Sequence, residues 1–216
     1  MWQLTVEEAE QYYAEKDAAH GFGHVLRVYH LCQEIGQAEG ADWGILRVAA
    51  LLHDVENSLH DKEKRKHHHL LSAEFVGELL NHHDWAAPDI EAVQHCIRAH
   101  RYRDERETPQ TMEAQCLYDA DKLDSIGAIG VARAIAVSVE RGLPFFEEPS
   151  EQFLLTGQLT DGERHSAYHE YWFKLRHVHT RLFTDTARHM AERRQTIMVD
   201  FFEQLRWEHQ QRKHSP

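Results

Sequence analysis

The spacing of apolar residues constrains this chain more than any other feature of its sequence. Between His24 and about Gln37, Val25, Val28, Tyr29, Cys32 and Ile35 recur at steps of three and four, with Arg27, Gln33 and Glu34 off that stripe. This is the period of an α-helix with one buried face. The two-residue alternation of a half-buried strand is missing throughout, so the expected fold is all-α.

The other elements follow from the same pattern and from end signals. Thr5 with Glu8 three positions on reads as a capping box opening a first helix that runs to about Asp17. Asp42 suits the N-cap of a third helix whose stripe is Ile45, Val48, Ala49 and Leu52, with His53 extending it. Glu56 to His67 carries four Lys or Arg and no periodicity, which predicts a loop, followed by a fourth helix from about His69 to Asn81. Pro88 and Asp89 open a fifth helix through about His100. Met112 to Val139 reads as a sixth, broken near Gly127 and Gly130. Arg141 to Gly162, with Pro144 and Pro149, suggests a long ordered loop or lid. Trp172, Leu175, Leu182, Phe183, Met190, Phe201 and Leu205 stand on a charged background, as in one or two long amphipathic helices. No composition break divides the 216 residues, so a single domain over 1–216 is expected, with a C-terminal helical extension over about 163–210.

Charge narrows the partners. Lys and Arg number 24 against 36 Asp and Glu, a formal net charge of −12, which disfavours extended contact with nucleic acid or an anionic membrane. No apolar run is long enough for a membrane span, and the first residues carry neither a basic leader nor an apolar stretch. Cys32, Cys96 and Cys116 are odd in number and embedded in helical patterns, as buried thiols are in a reducing compartment. The expectation is a cytoplasmic protein.

Nineteen histidines point to metal chemistry, because neutral imidazole is a common transition-metal ligand. Abundance does not say which of them bind. The arrangement does more: His20-Gly21-Phe22-Gly23-His24-Val25-Leu26-Arg27-Val28, then Ala50-Leu51-Leu52-His53-Asp54, then Asp119-Ala120-Asp121-Lys122-Leu123-Asp124 follow in order. In letters, order and spacing this series resembles the HD superfamily of metal-dependent phosphohydrolases, in particular its small stand-alone bacterial members. The late motif continues the likeness through Ser125-Ile126-Gly127-Ala128-Ile129-Gly130, so that it covers about residues 20–140.

The resemblance implies an HD-domain helical bundle with additional C-terminal helices, and one divalent cation held by His24, His53, Asp54 and Asp121. Two imidazoles and two carboxylates suit Mn, Ni, Co, Fe or Zn, with Mg as a further candidate. Such an ion lowers the pKa of bound water and polarises a phosphoryl oxygen, so hydrolysis of a nucleotide or another small phosphate ester or anhydride by metal-activated water is the implied reaction. Asp54 and Glu56 are the candidate catalytic acids, although family members of the nucleotidase type carry their acid at the position of Asn57. His68 and His100 fall where two-metal relatives carry further histidines. They bind either a second ion or substrate phosphate, and the second is preferred because only Asp54 is placed to bridge two ions. Lys122 and Arg101, with Arg98 and Arg103, are candidate phosphate contacts. A surface salt bridge is an equal reading for each of these cations, and a solvated loop end or helix face for His67, His68, His69, His95 and His100. The competing functions are a diiron HD-type oxygenase and a catalytically silent ligand-binding or regulatory HD module.

Overall fold

In a computed structural model, residues 2–13, 21–57, 62–101 and 107–211 are described, with side chains omitted for 62–65. Every regular element among them is helical. The helices are α1 (Val6–Glu10), α2 (Phe22–Glu39), α3 (Trp43–Leu52), α4 (Lys62–His82), α5 (Ala87–Ala99), α6 (Met112–Asp124), α7 (Gly127–Glu140), α8 (Glu151–Thr156), α9 (Ala167–Phe173) and α10 (Asp185–Gln211), with a 3-10 helix over Leu175–Arg181.

The capping signals act as their residue types predict. Glu8 N–H donates to Thr5 Oγ1 at 3.1 Å while the Glu8 carboxylate accepts from Thr5 N–H at 2.8 Å. Asp42 Oδ1 accepts from the N–H groups of Gly44 and Ile45 and starts α3. The first helix, expected to run to about Asp17, ends at Glu10, where the Gln11 N–H closes it on the Ala9 and Glu8 carbonyls; Asp17 and His20 themselves lie outside the described residues.

Two further expectations are corrected. The fourth helix begins at Lys62, not near His69. Lys62-Glu63-Lys64-Arg65-Lys66 holds only strong helix formers, and a search for an apolar stripe is blind to turns that contain no apolar residue. The stretch expected as a loop after Arg141 contains α8, capped by Ser150 Oγ accepting from Phe153 N–H. The break in the sixth helix falls where it was expected, between Asp124 and Gly127. Gly127 takes φ +77°, and a Cβ at Gly130 would strike the Ser125 carbonyl, so glycine is required at both.

The chain forms two compact units. The first comprises Met1–Lys122 with Leu182–Ala187, and the second Leu123–Arg181 with Arg188–Pro216. In the first, α3 lies at the centre with Val48, Ala49, Ala50, Leu51 and Leu52 all buried. It packs against α1, α2 and α5, and α4 packs along α5. Burial of these apolar side chains, each contributing about 1.5–3 kcal/mol for a large one, holds the helix ends that carry the candidate ligands. In the second unit, Tyr168, Tyr171 and Phe202 form an aromatic core, with Tyr171 stacked on Phe202 at 4.4 Å between ring centroids. The Glu163 carboxylate organises the segment before α9, accepting from Ser150 N–H and Oγ–H, Thr160 N–H and Oγ1–H, and facing His169 Nε2 at 3.0 Å. No helix among the described residues is long and apolar enough to cross a membrane.

Candidate metal centre

The candidate ligands sit mostly at helix ends within the first unit. His24 lies in the first turn of α2, His53 is the C-cap of α3 with Asp54 following it, and His100 is the C-cap of α5. Asp121 comes from α6 and His68 from α4. The turn after α3 is held by Val55 N–H on the Leu52 carbonyl and Asn57 N–H on that of Asp54.

These residues converge. The Nε2 atoms of His24 and His53 are 3.4 Å apart, and Asp54 Oδ2 lies 4.0 Å from the first and 3.9 Å from the second. Asp121 Oδ1 stands 3.4 Å from His24 Nε2. On the other side of Asp54, Oδ1 lies 3.1 Å from His68 Nε2 and 3.6 Å from His100 Nε2, and those two nitrogens face each other at 3.3 Å. Thus His24, His53 and Asp54 form one group able to hold a metal ion, and Asp54, His68 and His100 a second, each with ligand atoms within 4.8 Å of one another.

The hydrogen bonds at the back of the rings fix which nitrogen faces inward. His53 Nδ1 stands 2.9 Å from the Ala50 carbonyl oxygen and His100 Nδ1 2.5 Å from that of Ile97. A carbonyl only accepts, so each Nδ1 carries a proton, and the neutral form of either ring turns a bare Nε2 lone pair into the cluster. Asp54 Oδ1 is buried and meets no hydrogen-bond geometry among the described residues, although His68 Nε2 stands 3.1 Å away. Lone pairs facing lone pairs beside a buried oxygen without a donor suit a cation.

Ionisation follows the same logic. Burial pushes His53 down to about 4, against the raising effect of Asp54, so this ring is neutral near pH 7. Burial pushes the Asp54 carboxyl up, but His68, His53 and His100 together hold it well below the carboxylate range. Asp121 is likewise resisted by burial and held low by Lys122 and His24.

Lys122 and Asp121 form an ion pair, and Lys122 Nζ also donates to the His100 carbonyl at 2.9 Å. The buried Lys122 ammonium is therefore engaged by the two ligand-bearing helices α5 and α6. Glu56 enters neither ligand group; its N–H donates to Ser72 Oγ at 3.1 Å. Arg101 donates to the Lys66 carbonyl. Arg98 pairs with Glu107 and Glu91, and His95 with Glu107. His67 and His69 lie within α4 rather than at a loop end, with His69 buried, and neither joins a ligand group. Arg103 lies outside the described residues.

Asn57 takes a part that the sequence does not announce. Its Nδ2 donates to Asp54 Oδ2 at 3.0 Å, steadying the carboxylate between the two groups of histidines. The signal available in advance was only that an amide occupies a position where an acid was expected.

The HD domain family matches residues 21–126 of the chain. The uncharacterized protein YpgQ of Bacillus subtilis is 31% identical over 195 residues, covering 88% of this chain and 85% of YpgQ. The crystal structure of YpgQ in complex with ADP superposes with a TM-score of 0.72 at 29% identity, covering 94% of this chain and 97% of that one. An HD-superfamily hydrolase from Bacillus thuringiensis shares the fold, with a TM-score of 0.64 at 24% identity and coverage of 94% and 95%. The chain belongs to the HD domain family and has the fold of HD-superfamily hydrolases.

Proposed function

We propose that this protein is a metal-dependent phosphohydrolase acting on a nucleotide or a similar small phosphate compound. The observation that carries the reading is Asp54, a buried carboxylate with His24 and His53 around one oxygen and His68 and His100 around the other. His24, His53, Asp54 and Asp121 would hold one divalent transition-metal ion. Bound there, the ion would supply Lewis acidity toward water and a phosphoryl oxygen.

The chain's own groups have separate tasks in this reading. Asn57 and Lys122 steady the Asp54 and Asp121 carboxylates, and the carbonyls of Ala50 and Ile97 fix the ring tautomers. His68 and His100 would face the phosphates. Charge favours that role over a second ion: one dication with Lys122 exceeds the two carboxylates by a single positive charge, which an anionic substrate balances, whereas two dications would exceed them by three. The same count argues against diiron oxygenase chemistry. The ADP found on YpgQ supports a nucleotide as ligand. Three buried free thiols suit a reducing cytoplasm.

The test is a screen of nucleotides and phosphoesters with protein reconstituted in Mn, Ni, Co, Fe, Zn or Mg, measuring phosphate and pyrophosphate separately. Release of either by metal-loaded protein only is expected. Metal binding without turnover of any compound would favour the silent regulatory module.

A further inference from the structure

Helix α3 ends at Leu52, and the carbonyls of its last turn need donors from outside the helical ladder. Side chains supply them. His53 Nδ1–H takes the Ala50 carbonyl, and the Tyr13 hydroxyl, 38 positions upstream, donates to the Leu51 carbonyl at 2.8 Å. The Tyr13 ring is fixed by Phe22 at the start of α2, 5.3 Å between centroids.

We infer that Tyr13 is a positioning residue for the His53–Asp54 pair, its hydroxyl capping the Leu51 carbonyl beside the Ala50 carbonyl that the His53 ring takes. The assignment of a metal-ligand role to that pair rests on the function proposed above; the hydrogen-bond arrangement itself does not. The hydroxyl supplies the donor that the Leu51 carbonyl takes from outside the helix, and a phenylalanine ring in its place supplies none. Without the hydroxyl, the Leu51 carbonyl loses that donor, and the turn that sets the direction of His53 and Asp54 shifts to find another. The Ala50 carbonyl, which holds the proton of His53 on Nδ1, belongs to the same turn and moves with it. The ring then loses its fixed tautomer and Asp54 the fixed start of its side chain.

Tyr13 is not placed against substrate, which separates its effect from that of a phosphate contact. Groups that orient metal ligands typically change metal affinity by 10–100-fold when removed. Because Tyr13 acts through the backbone, the lower end of that range is expected.

The experiment compares wild type, Tyr13→Phe and Tyr12→Phe, the last a control whose ring packs on Phe75. In metal-free protein, nitrogen chemical shifts of the His53 ring report its tautomer; Tyr13→Phe is expected to give a mixture and Tyr12→Phe the single Nδ1–H form of wild type. Co(II) titration is expected to show about tenfold weaker binding and an altered visible spectrum in Tyr13→Phe only, with KM at saturating metal unchanged. A wild-type tautomer in Tyr13→Phe overturns the inference. So does a Tyr13→Phe protein that is unfolded, since the hydroxyl would then be a general support of the fold. The tautomer measurement uses no metal and no substrate, so it stands if wild type binds no Co(II), an outcome that would count against the proposed function alone.

Discussion

Lys122 Nζ and the main-chain oxygen of His100 are 2.9 Å apart, a buried hydrogen bond joining residues 22 positions distant. The same ammonium pairs with Asp121 and lies 5.0 Å from the centre of the Tyr118 ring. A cation so engaged is better placed to hold the centre together than to meet a substrate. Lys122→Met should therefore destabilise the metal-free protein by about 3 kcal/mol, the scale of breaking a buried ion pair, as read from urea denaturation. KM should change less than about twofold. Unchanged stability with a tenfold rise in KM would return Lys122 to the phosphates.

Asp54 touches every other member of the cluster except Asp121 and Lys122 in the distances above. Asp54→Ala should lower metal-dependent kcat by about 10³-fold or more, the scale of losing a charged group aimed at the reacting centre. Helical content by circular dichroism should stay nearly unchanged, because removing one buried carboxylate also removes its desolvation cost. Turnover within tenfold of wild type would remove Asp54 from the mechanism.

The helices and the first ligand group were legible because both are local or ordered along the chain. Val25, Val28, Cys32 and Ile35 mark α2 by period alone, and the resemblance to the HD superfamily singles out His24, His53, Asp54 and Asp121 as candidate ligands. Legibility failed where a role depends on a distant partner. For His68 the local pattern reads as loop and only the family resemblance singled it out, while α4 is what brings it to 3.3 Å from His100. Tyr13 reads as one aromatic among many until its hydroxyl meets Leu51. The acids of the late motif look alike in sequence, but only Asp121 faces His24. Asp119 is buried and accepts from Phe183 N–H, Thr184 N–H and Thr184 Oγ1–H, while Asp124 pairs with Arg133 at 2.6 Å.

This division of labour gives a contrast between neighbouring acids. Asp119→Ala leaves the two N–H groups and the hydroxyl without their acceptor, a loss of about 3 kcal/mol on the scale of 1–3 for each buried unsatisfied group. Metal stoichiometry in the folded variant should equal that of wild type. A variant of full stability that has lost its metal would place Asp119 in the centre instead.

His53 sets a pH dependence of stability in the metal-free protein. Its folded value, about 4, is below its ordinary 6.5, so between those values the unfolded chain binds the proton and the folded one does not. Stability must then fall as pH drops through that window, by about 3 kcal/mol in all, and this contribution is fully present above about 6.5. Asp54 and Asp121 are also held low, so their contribution is present above the ordinary carboxylate value of 3.8 and is lost below it. Urea denaturation of metal-free protein at pH 7.5 and 4.5 should show the first loss, and His53→Gln should flatten it. Equal stability at both pH values would mean that the His53 ring is not buried neutral.

The last prediction decides what His68 and His100 do. Their Nε2 atoms are 3.3 Å apart beside Asp54 Oδ1, an arrangement that accepts either a second cation or a phosphate oxygen once a proton is shared. A second cation would draw on a carboxylate already facing His24 and His53, while Asp121 is neutralised in part by Lys122. Metal titration of wild type should therefore saturate near one ion per chain. The double variant His68→Ala with His100→Ala should keep that stoichiometry and raise KM or lower kcat, since charge-assisted hydrogen bonds to substrate are lost. Because His100 Nδ1 also caps the Ile97 carbonyl, its loss adds a stability cost, so kinetics are compared at a temperature where both proteins are fully folded. Saturation near two ions in wild type and near one in the variant would assign these histidines to a second metal site, and wild-type metal content with wild-type kinetics would leave them outside the chemistry altogether.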